Sequence, residues 1–174
     1  ISHKQQPLND FNRQLLLPWM YSYQGPCIAK GDIDNDGIED FYLGGGKGSP
    51  GQLMKGLANG SYKKTNETVF KQWELSTDTD AKFFDADNDG DQDLYVVGGG
   101  YEYLPNDLLL QNKLYINDGK GNFTQTHTAF PPDLFSDACV EVLDFDNDGD
   151  QDVFVGGFVL PGDYPSANPS RFYV

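Results

Sequence analysis

The sequence contains three copies of one acidic pattern, and these copies constrain the fold more than any other feature. Each copy reads D-x-D-x-D-G-x-x-D: DIDNDGIED at 32–40, DADNDGDQD at 85–93 and DFDNDGDQD at 144–152. We call them acidic loops 1, 2 and 3, and we number positions from the first aspartate of each. Their first aspartates lie 53 and 59 residues apart. A repeat of this length is typical of modular architectures in which each copy forms one supersecondary unit.

Apolar segments on both sides of each acidic loop predict strands. One such segment precedes each loop, as in CIAKG from Cys27, and a run that ends in glycines follows it, as in FYLGGG at 41–46. A third and a fourth strand follow, joined by turns at Asn59-Gly60 and at Lys120-Gly121. The sequence therefore predicts an all-β fold made of four-stranded antiparallel units, which are the blades of a β-propeller.

The predicted units divide the chain into about three blades within a single propeller segment, 1–174. Blade 1 is expected at 25–66, blade 2 at 77–128 and blade 3, with only three of its strands, at 136–174.

The segment before blade 1 is predicted to be the last strand of a preceding blade. Phe11 precedes Asp32 by 21 residues, as Phe123 precedes Asp144, so residues 11–24 are expected to form that strand and a connector. Both ends then look like cuts from a longer precursor. Because blades need neighbours, we expect further blades or another copy of the chain to cover the open edges.

The acidic loops predict three calcium sites. Carboxylates at positions 1, 3, 5 and 9 and a backbone carbonyl at position 7 match the oxygen ligands of Ca²⁺, and glycine at position 6 permits a sharp turn. The predicted carboxylate ligands are Asp32, Asp34, Asp36 and Asp40; Asp85, Asp87, Asp89 and Asp93; and Asp144, Asp146, Asp148 and Asp152. The predicted carbonyl ligands are those of Ile38, Asp91 and Asp150. The alternative is three solvated turns, since Asp, Asn and Gly all favour turns.

Other metal sites fit the pattern less well. An EF-hand needs a bidentate Glu at position 12 and flanking helices, but position 12 is Leu43, Val96 or Val155, each in a predicted strand. Mg²⁺ usually keeps several waters, and the two histidines, His3 and His127, lack the spacing of zinc ligands.

The net charge excludes two classes of partner. The formal charge is −15, and twelve aspartates lie at the four ligand positions of the acidic loops, so the rest of the chain carries only −3. Nucleic acids and anionic membranes need Lys and Arg to neutralise phosphate. No run of 18 apolar residues is present. We therefore expect no nucleic-acid binding and no membrane insertion.

The acidic loop, the following apolar strand with its glycines and the stretch NKLYINDGKGNF resemble the FG-GAP/VCBS repeats of integrin α-subunit propellers and bacterial surface proteins. The stretch beginning DFNRQLLLPWMYSYQG is similar to secreted bacterial proteins related to cartilage acidic protein, which carry an ASPIC/UnbV region. The resemblance implies a seven-bladed propeller with structural calcium and an extracellular or cell-surface role in adhesion.

Two long loops opposite the acidic loops are candidate recognition surfaces for a protein or glycan. They lie at 101–112 and 158–170 and carry the apolar residues Tyr101, Tyr103, Leu104, Phe158 and Tyr164. These side chains either contact a ligand or fold back over the blades.

The chain is predicted not to be an enzyme, and two other hypotheses about its function stay open. One is an accessory or catalytic part of a polysaccharide-processing enzyme, in which Glu102 and Asp107 serve as acid and base. The other is a purely structural spacer.

Overall fold

The computed structural model describes residues 3, 6–23, 25–127 and 130–174. Within these residues, eleven strands form two four-stranded sheets and one three-stranded sheet, and all strand pairs are antiparallel. The predicted all-β fold with propeller-like blades is confirmed. None of the helices in this part of the chain has the length and apolar character needed to span a bilayer.

The strands of each sheet follow one another in chain order. Blade 1 contains β1 (Ile28–Gly31), β2 (Asp40–Leu43), β3 (Gln52–Gly56) and β4 (Tyr62–Thr65). Blade 2 contains β5 (Thr77–Phe84), β6 (Asp93–Gly99), β7 (Lys113–Asn117) and β8 (Phe123–Thr126). Blade 3 contains β9 (Asp137–Leu143), β10 (Asp152–Gly157) and β11 (Arg171–Tyr173). The expected boundaries at residues 24 and 128 lie outside the described residues.

Helices are short and lie in the connections. The α-helix α1 (Glu67–Lys71) links blade 1 to blade 2, and Phe70 on this helix is buried between them. Two 3-10 helices lie at Asp10–Asn12 and Leu108–Leu110.

The prediction that residues 11–24 contain the last strand of a preceding blade and a connector is wrong about the strand, because the described residues up to 23 form a 3-10 helix and turns. The side chain of Asn9 caps this helix, and the carboxylate of Asp10 accepts a hydrogen bond of 2.8 Å from the Ser22 N–H. Side chains thus satisfy backbone donors that a strand would pair with a neighbour. Arg13 then ties the segment to blade 2, donating to the carbonyl oxygens of Tyr101 and Tyr103.

The apolar core lies between the blades rather than at one centre. Alternating strand residues place one set of side chains on each face of a sheet, and facing sets pack together. The cluster between blades 1 and 2 contains Tyr42, Leu53, Leu94, Val96, Tyr115 and Phe123. The cluster between blades 2 and 3 contains Tyr95, Val97, Leu114, Val140, Val153 and Val155. Each blade is therefore held by its neighbours.

The outer face of blade 3 exposes apolar side chains at positions that are buried in the other blades. Phe172 pairs with Phe154 across the sheet, as Leu53 pairs with Tyr42 and Leu114 with Tyr95. Leu53 and Leu114 are 0% and 5% exposed, whereas Phe172 is 47% exposed. This face has the residue pattern of a blade interface without a neighbour in the described residues.

Candidate metal centres

The three acidic loops share one backbone conformation. The asparagine at position 4 has a positive φ in every loop: 54° at Asn35, 59° at Asn88 and 62° at Asn147. The glycine at position 6 is also left-handed, with φ of 79°, 92° and 100° at Gly37, Gly90 and Gly149. Asparagine and glycine tolerate this region best, so the sequence N-D-G specifies the turn. The role of glycine was expected, whereas the role of asparagine was missed despite its presence in all three copies.

The position 1 carboxylate organises the turn by accepting backbone N–H groups. In loop 1, Asp32 accepts hydrogen bonds of 3.1 Å from Asp36 N–H and 2.8 Å from Gly37 N–H. In loop 2, Asp85 accepts the equivalent bonds at 3.1 Å and 2.9 Å. In loop 3, Asp144 accepts only from Gly149 N–H, at 3.2 Å. These bonds fold the loop back on itself and bring its other carboxylates together.

The position 9 aspartate fastens the loop to the sheet. Asp93 is fully buried, and its two oxygens accept hydrogen bonds from Ala86 N–H at 2.9 Å and from Asn117 N–H on β7 at 2.8 Å. Asp40 makes the same two bonds, to Ile33 N–H and to Gly56 N–H. Each carboxylate oxygen keeps a second lone pair, so this aspartate can hold the backbone and a cation together.

Three carboxylates in each loop approach closely enough to share one cation. Their ligand atoms lie within 4.8 Å of one another. The groups are Asp32, Asp34 and Asp36; Asp85, Asp87 and Asp93; and Asp144, Asp146 and Asp152. Of the predicted carboxylate ligands, Asp40, Asp89 and Asp148 are outside these groups in the described part of the chain. The predicted carbonyl ligands of Ile38, Asp91 and Asp150 stay a prediction.

Electrostatics in the loops disfavour negative charge without a cation. Burial raises the pKa of Asp93 to about 6, and the charges of Asp87 and Asp89 add to this shift. The pKa of Asp87 is raised by desolvation and by the neighbouring Asp89, and the pKa of Asp146 is raised by desolvation and by Asp148. A divalent cation would remove this repulsion, and all-oxygen donors are the ligand type that Ca²⁺ takes. The donor set therefore fits calcium.

Loop 1 differs because it has a protein cation. Lys55 on β3 donates to Asp34 Oδ2, and its Nζ lies 4.0 Å from Asp36 Oδ2. The hydrogen bond to Asp34 raises the pKa of Lys55. Among the described residues, no lysine or arginine forms an ion pair with the carboxylates of loops 2 and 3.

Neighbouring acidic loops are linked by polar contacts that the sequence reasoning missed. Gln92 of loop 2 accepts a hydrogen bond of 3.0 Å from Asp32 N–H of loop 1, and Gln151 of loop 3 accepts one of 3.2 Å from Asp85 N–H. Asparagine at position 4 donates to the aspartate at position 7 of the next loop, from Asn35 to Asp91 at 3.3 Å and from Asn88 to Asp150 at 3.0 Å. The dipeptide Asp-Gln at positions 7 and 8 of loops 2 and 3 was the available signal.

The opposite end of the blades contains buried ion pairs. Lys113 Nζ lies 2.7 Å from Asp78 Oδ1, and both side chains are nearly inaccessible, at 1% and 4% exposure. In blade 3, Arg171 pairs with the buried Asp137. Asp78 also accepts a hydrogen bond of 2.8 Å from the Tyr42 hydroxyl of blade 1. The two ion pairs therefore link strands within blades 2 and 3, and Asp78 also links blade 2 to blade 1.

The aromatic residues of the long loops lie largely inside the protein. Of the two alternatives for these side chains, folding back over the blades holds for Tyr101 and Tyr103, which are 0% and 2% exposed. The ring of Tyr21 packs against two aromatic residues of these loops, with its centroid 5.7 Å from that of Tyr101 and 5.4 Å from that of Phe158. Leu104 is 66% exposed and is available to a partner. The sequence alone could not decide between the two alternatives, because Tyr21 comes from a distant segment.

The two acidic residues considered for catalysis have structural contacts. Asp107 accepts a hydrogen bond of 3.0 Å from Leu109 N–H and so caps the 3-10 helix at Leu108–Leu110. Glu102 bonds to the Thr77 hydroxyl, and burial raises its pKa.

Small antiparallel sheets packed face to face, each with an acidic loop between its first two strands, define a repeat protein of the β-propeller class. A family model described as an FG-GAP-like repeat matches residues 32–96 and 85–155. These matches cover more than half of the chain, which therefore belongs to the FG-GAP-like repeat family. A comparison with curated proteins finds no match. The similarity to ASPIC/UnbV proteins stays a prediction.

Proposed function

We propose that this chain is a calcium-stabilised blade segment of a secreted or cell-surface protein that mediates adhesion or the recognition of a protein or glycan, without catalysis. The supporting observation is that carboxylates gather in all three acidic loops. In each, three carboxylates come within 4.8 Å of one another, and loops 2 and 3 form no ion pair with a lysine or arginine of the described residues. Two carboxylates 4 Å apart repel by about 4 kcal/mol at an effective dielectric constant of about 20.

The calcium in this proposal has a structural role. Asp40 and Asp93 bond to backbone N–H groups of the third strand, so an ion held by the same loops would order loop and sheet together. Calcium sites of extracellular modules have dissociation constants of about 10⁻⁴ to 10⁻³ M, which the calcium concentration outside cells can fill. FG-GAP-like repeats are typical of extracellular proteins, which supports this location.

The proposal is tested by thermal unfolding with calcium, magnesium or a chelator. Calcium at a hundredfold excess over its dissociation constant stabilises the fold by about 2.7 kcal/mol per site. We expect calcium to raise the unfolding temperature more than magnesium does. A double variant, Asp87→Asn with Asp146→Asn, should lose most of this increase.

The control is Asp163→Asn, which makes one substitution of the same kind in an exposed loop away from the acidic loops. It should keep the full response to calcium. An unfolding temperature of the unmodified chain that is the same in calcium and in chelator would disprove the structural role of calcium.

Recognition of a partner requires a separate measurement. The loops at 101–112 and 158–170 remain the proposed contact region, although Leu104 and Leu108 are its exposed apolar residues rather than the tyrosines. Binding of the chain to arrayed glycans or cell-surface proteins should weaken in a Leu104→Ser, Leu108→Ser variant with an unchanged unfolding temperature. Release of a product from a polysaccharide would instead indicate an enzyme.

A further inference from the structure

Acidic loop 1 receives a positive charge from elsewhere in its own blade. The Lys55 side chain extends from β3, donates to Asp34 Oδ2 and lies 4.0 Å from Asp36 Oδ2. It is 31% exposed, and Asp34 is 13% exposed, so the pair is partly shielded from water. The ammonium group therefore lies among the carboxylates that gather in this loop.

The other two blades have apolar side chains where blade 1 has this lysine. In every blade, the residue after the position 9 aspartate pairs with a residue of the third strand. The residues that follow these partners are Lys55, Ile116 and Val174. Only one of the three equivalent positions carries a charge, so the difference is specific to loop 1.

We propose that Lys55 is a built-in counter-ion of acidic loop 1, which keeps this loop folded without calcium and makes it the weakest of the three calcium sites. This inference rests on the proposed calcium function. An ammonium group repels a divalent cation in the same cluster, and it already occupies one oxygen of a position 3 carboxylate.

Calcium binding at loop 1 is weakened rather than abolished. Asp34 Oδ1 is buried and has no hydrogen-bond partner among the described residues. An ion could use Oδ1 while Lys55 holds Oδ2. Blade 1 would then stay ordered as calcium falls, while loops 2 and 3 lose their ions and their order.

The test follows each loop separately by nuclear magnetic resonance during a calcium titration of the 174-residue chain. The amide groups of Gly37, Gly90 and Gly149 report loops 1, 2 and 3, because each donates to the position 1 carboxylate of its loop. In the unmodified chain, the Gly37 signal should reach its midpoint at a higher calcium concentration than the Gly90 and Gly149 signals. The difference should be at least about tenfold. In Lys55→Met, the midpoint for Gly37 should fall at least about tenfold.

Two further variants control the comparison. Lys30→Met removes a lysine of the same blade that pairs with Glu39, outside the gathered carboxylates, and should change the Gly37 midpoint less than about twofold. Ile116→Lys places the charge in blade 2 and should raise the Gly90 midpoint. This reciprocal variant decides the question if Lys55→Met does not fold. Equal midpoints for the three glycines in the unmodified chain would overturn the proposal.

The calcium-free protein separates this proposal from the proposed function. If no glycine responds to calcium, the calcium function fails. The counter-ion role is then decided by hydrogen exchange at Gly37 without calcium, which should be at least about tenfold faster in Lys55→Met than in Lys30→Met. Equal exchange rates in the two variants would exclude a counter-ion role for Lys55.

Discussion

The two ends of the blades carry similar carboxylates but neutralise them by different means. At the end opposite the acidic loops, Asp78 has Lys113 and Asp137 has Arg171 as partners within the chain. At the other end, loops 2 and 3 gather their aspartates without such partners among the described residues, and only loop 1 has Lys55. Where the chain supplies the cation, we expect stability to be independent of solution ions. Under the proposed calcium function, stability at the other end depends on an ion from solution.

The largest expected effect is at the buried ion pair of blade 2. Lys113→Met leaves the Asp78 carboxylate buried without its charged partner, which costs about 3–5 kcal/mol of the free energy of unfolding. We expect this loss to be the same in calcium and in chelator. Unfolding in urea under both conditions measures it.

The control for this variant is Lys82→Met, which removes an exposed lysine that pairs with Glu141 and should cost less than about 1 kcal/mol. Adding Asp78→Asn to Lys113→Met should recover part of the stability by removing the buried charge. A loss of stability that differs between calcium and chelator would contradict the proposal that this end of the blades is stabilised independently of calcium.

The second effect is a dependence of calcium binding on pH. The folded-state pKa of Asp93 is raised by burial to about 6, above the usual value of about 4. Its contribution to the stability of the calcium-free protein is therefore present below about pH 4 and is lost as the pH rises through about 6. Calcium needs the ionised carboxylate, so protons compete with calcium below pH 6.

We expect the calcium concentration at the Gly90 midpoint to rise roughly fivefold from pH 6 to pH 5, which a titration at each pH measures. Asp93→Asn should weaken calcium binding at loop 2 and remove most of this pH dependence. The buried pair of Lys113 and Asp78 provides the contrast, since its effect on stability is expected to be independent of calcium at both pH values. A midpoint that stays constant between pH 5 and pH 6 would refute the competition.

The smallest effect concerns the neutral contacts between acidic loops. Gln92→Ala removes the acceptor of Asp32 N–H and should cost about 1 kcal/mol of the free energy of unfolding. The matched control is Glu39→Ala at the same position of loop 1, where the side chain pairs with the exposed Lys30. This control should change stability by less than about 1 kcal/mol. Equal losses in urea unfolding would mean that the link between the loops adds no stability.

The acidic loops and most strands could be predicted because their signals are local. Gly37, Gly90 and Gly149 have the positive φ that the pattern requires, and the strands on both sides follow the alternation of apolar residues. The segment before blade 1 could not be predicted in this way. The register of Phe11 with Phe123 suggests a strand, but a strand needs a partner. The side chains of Asp10 and Asn9 satisfy backbone donors of this segment instead.

In the candidate site, too, contacts between distant parts of the chain could not be predicted from local sequence patterns. Repetition identified the aspartates, but Lys55 is one lysine among many in the sequence, and its role follows only from its position across the sheet from loop 1. The sequence likewise left open whether Tyr101 contacts a ligand or folds back, and only its contact with the distant Tyr21 explains its burial.

The sequence by itself determined the repeated unit, its four-stranded pattern and the aspartates that gather in each loop, because turns and alternation depend on neighbouring residues. Only the tertiary structure decided which carboxylates have a partner within the chain. Lys113 and Lys55 reach theirs across 35 and 21 residues of sequence, and a charge interaction depends on distance in space rather than along the chain.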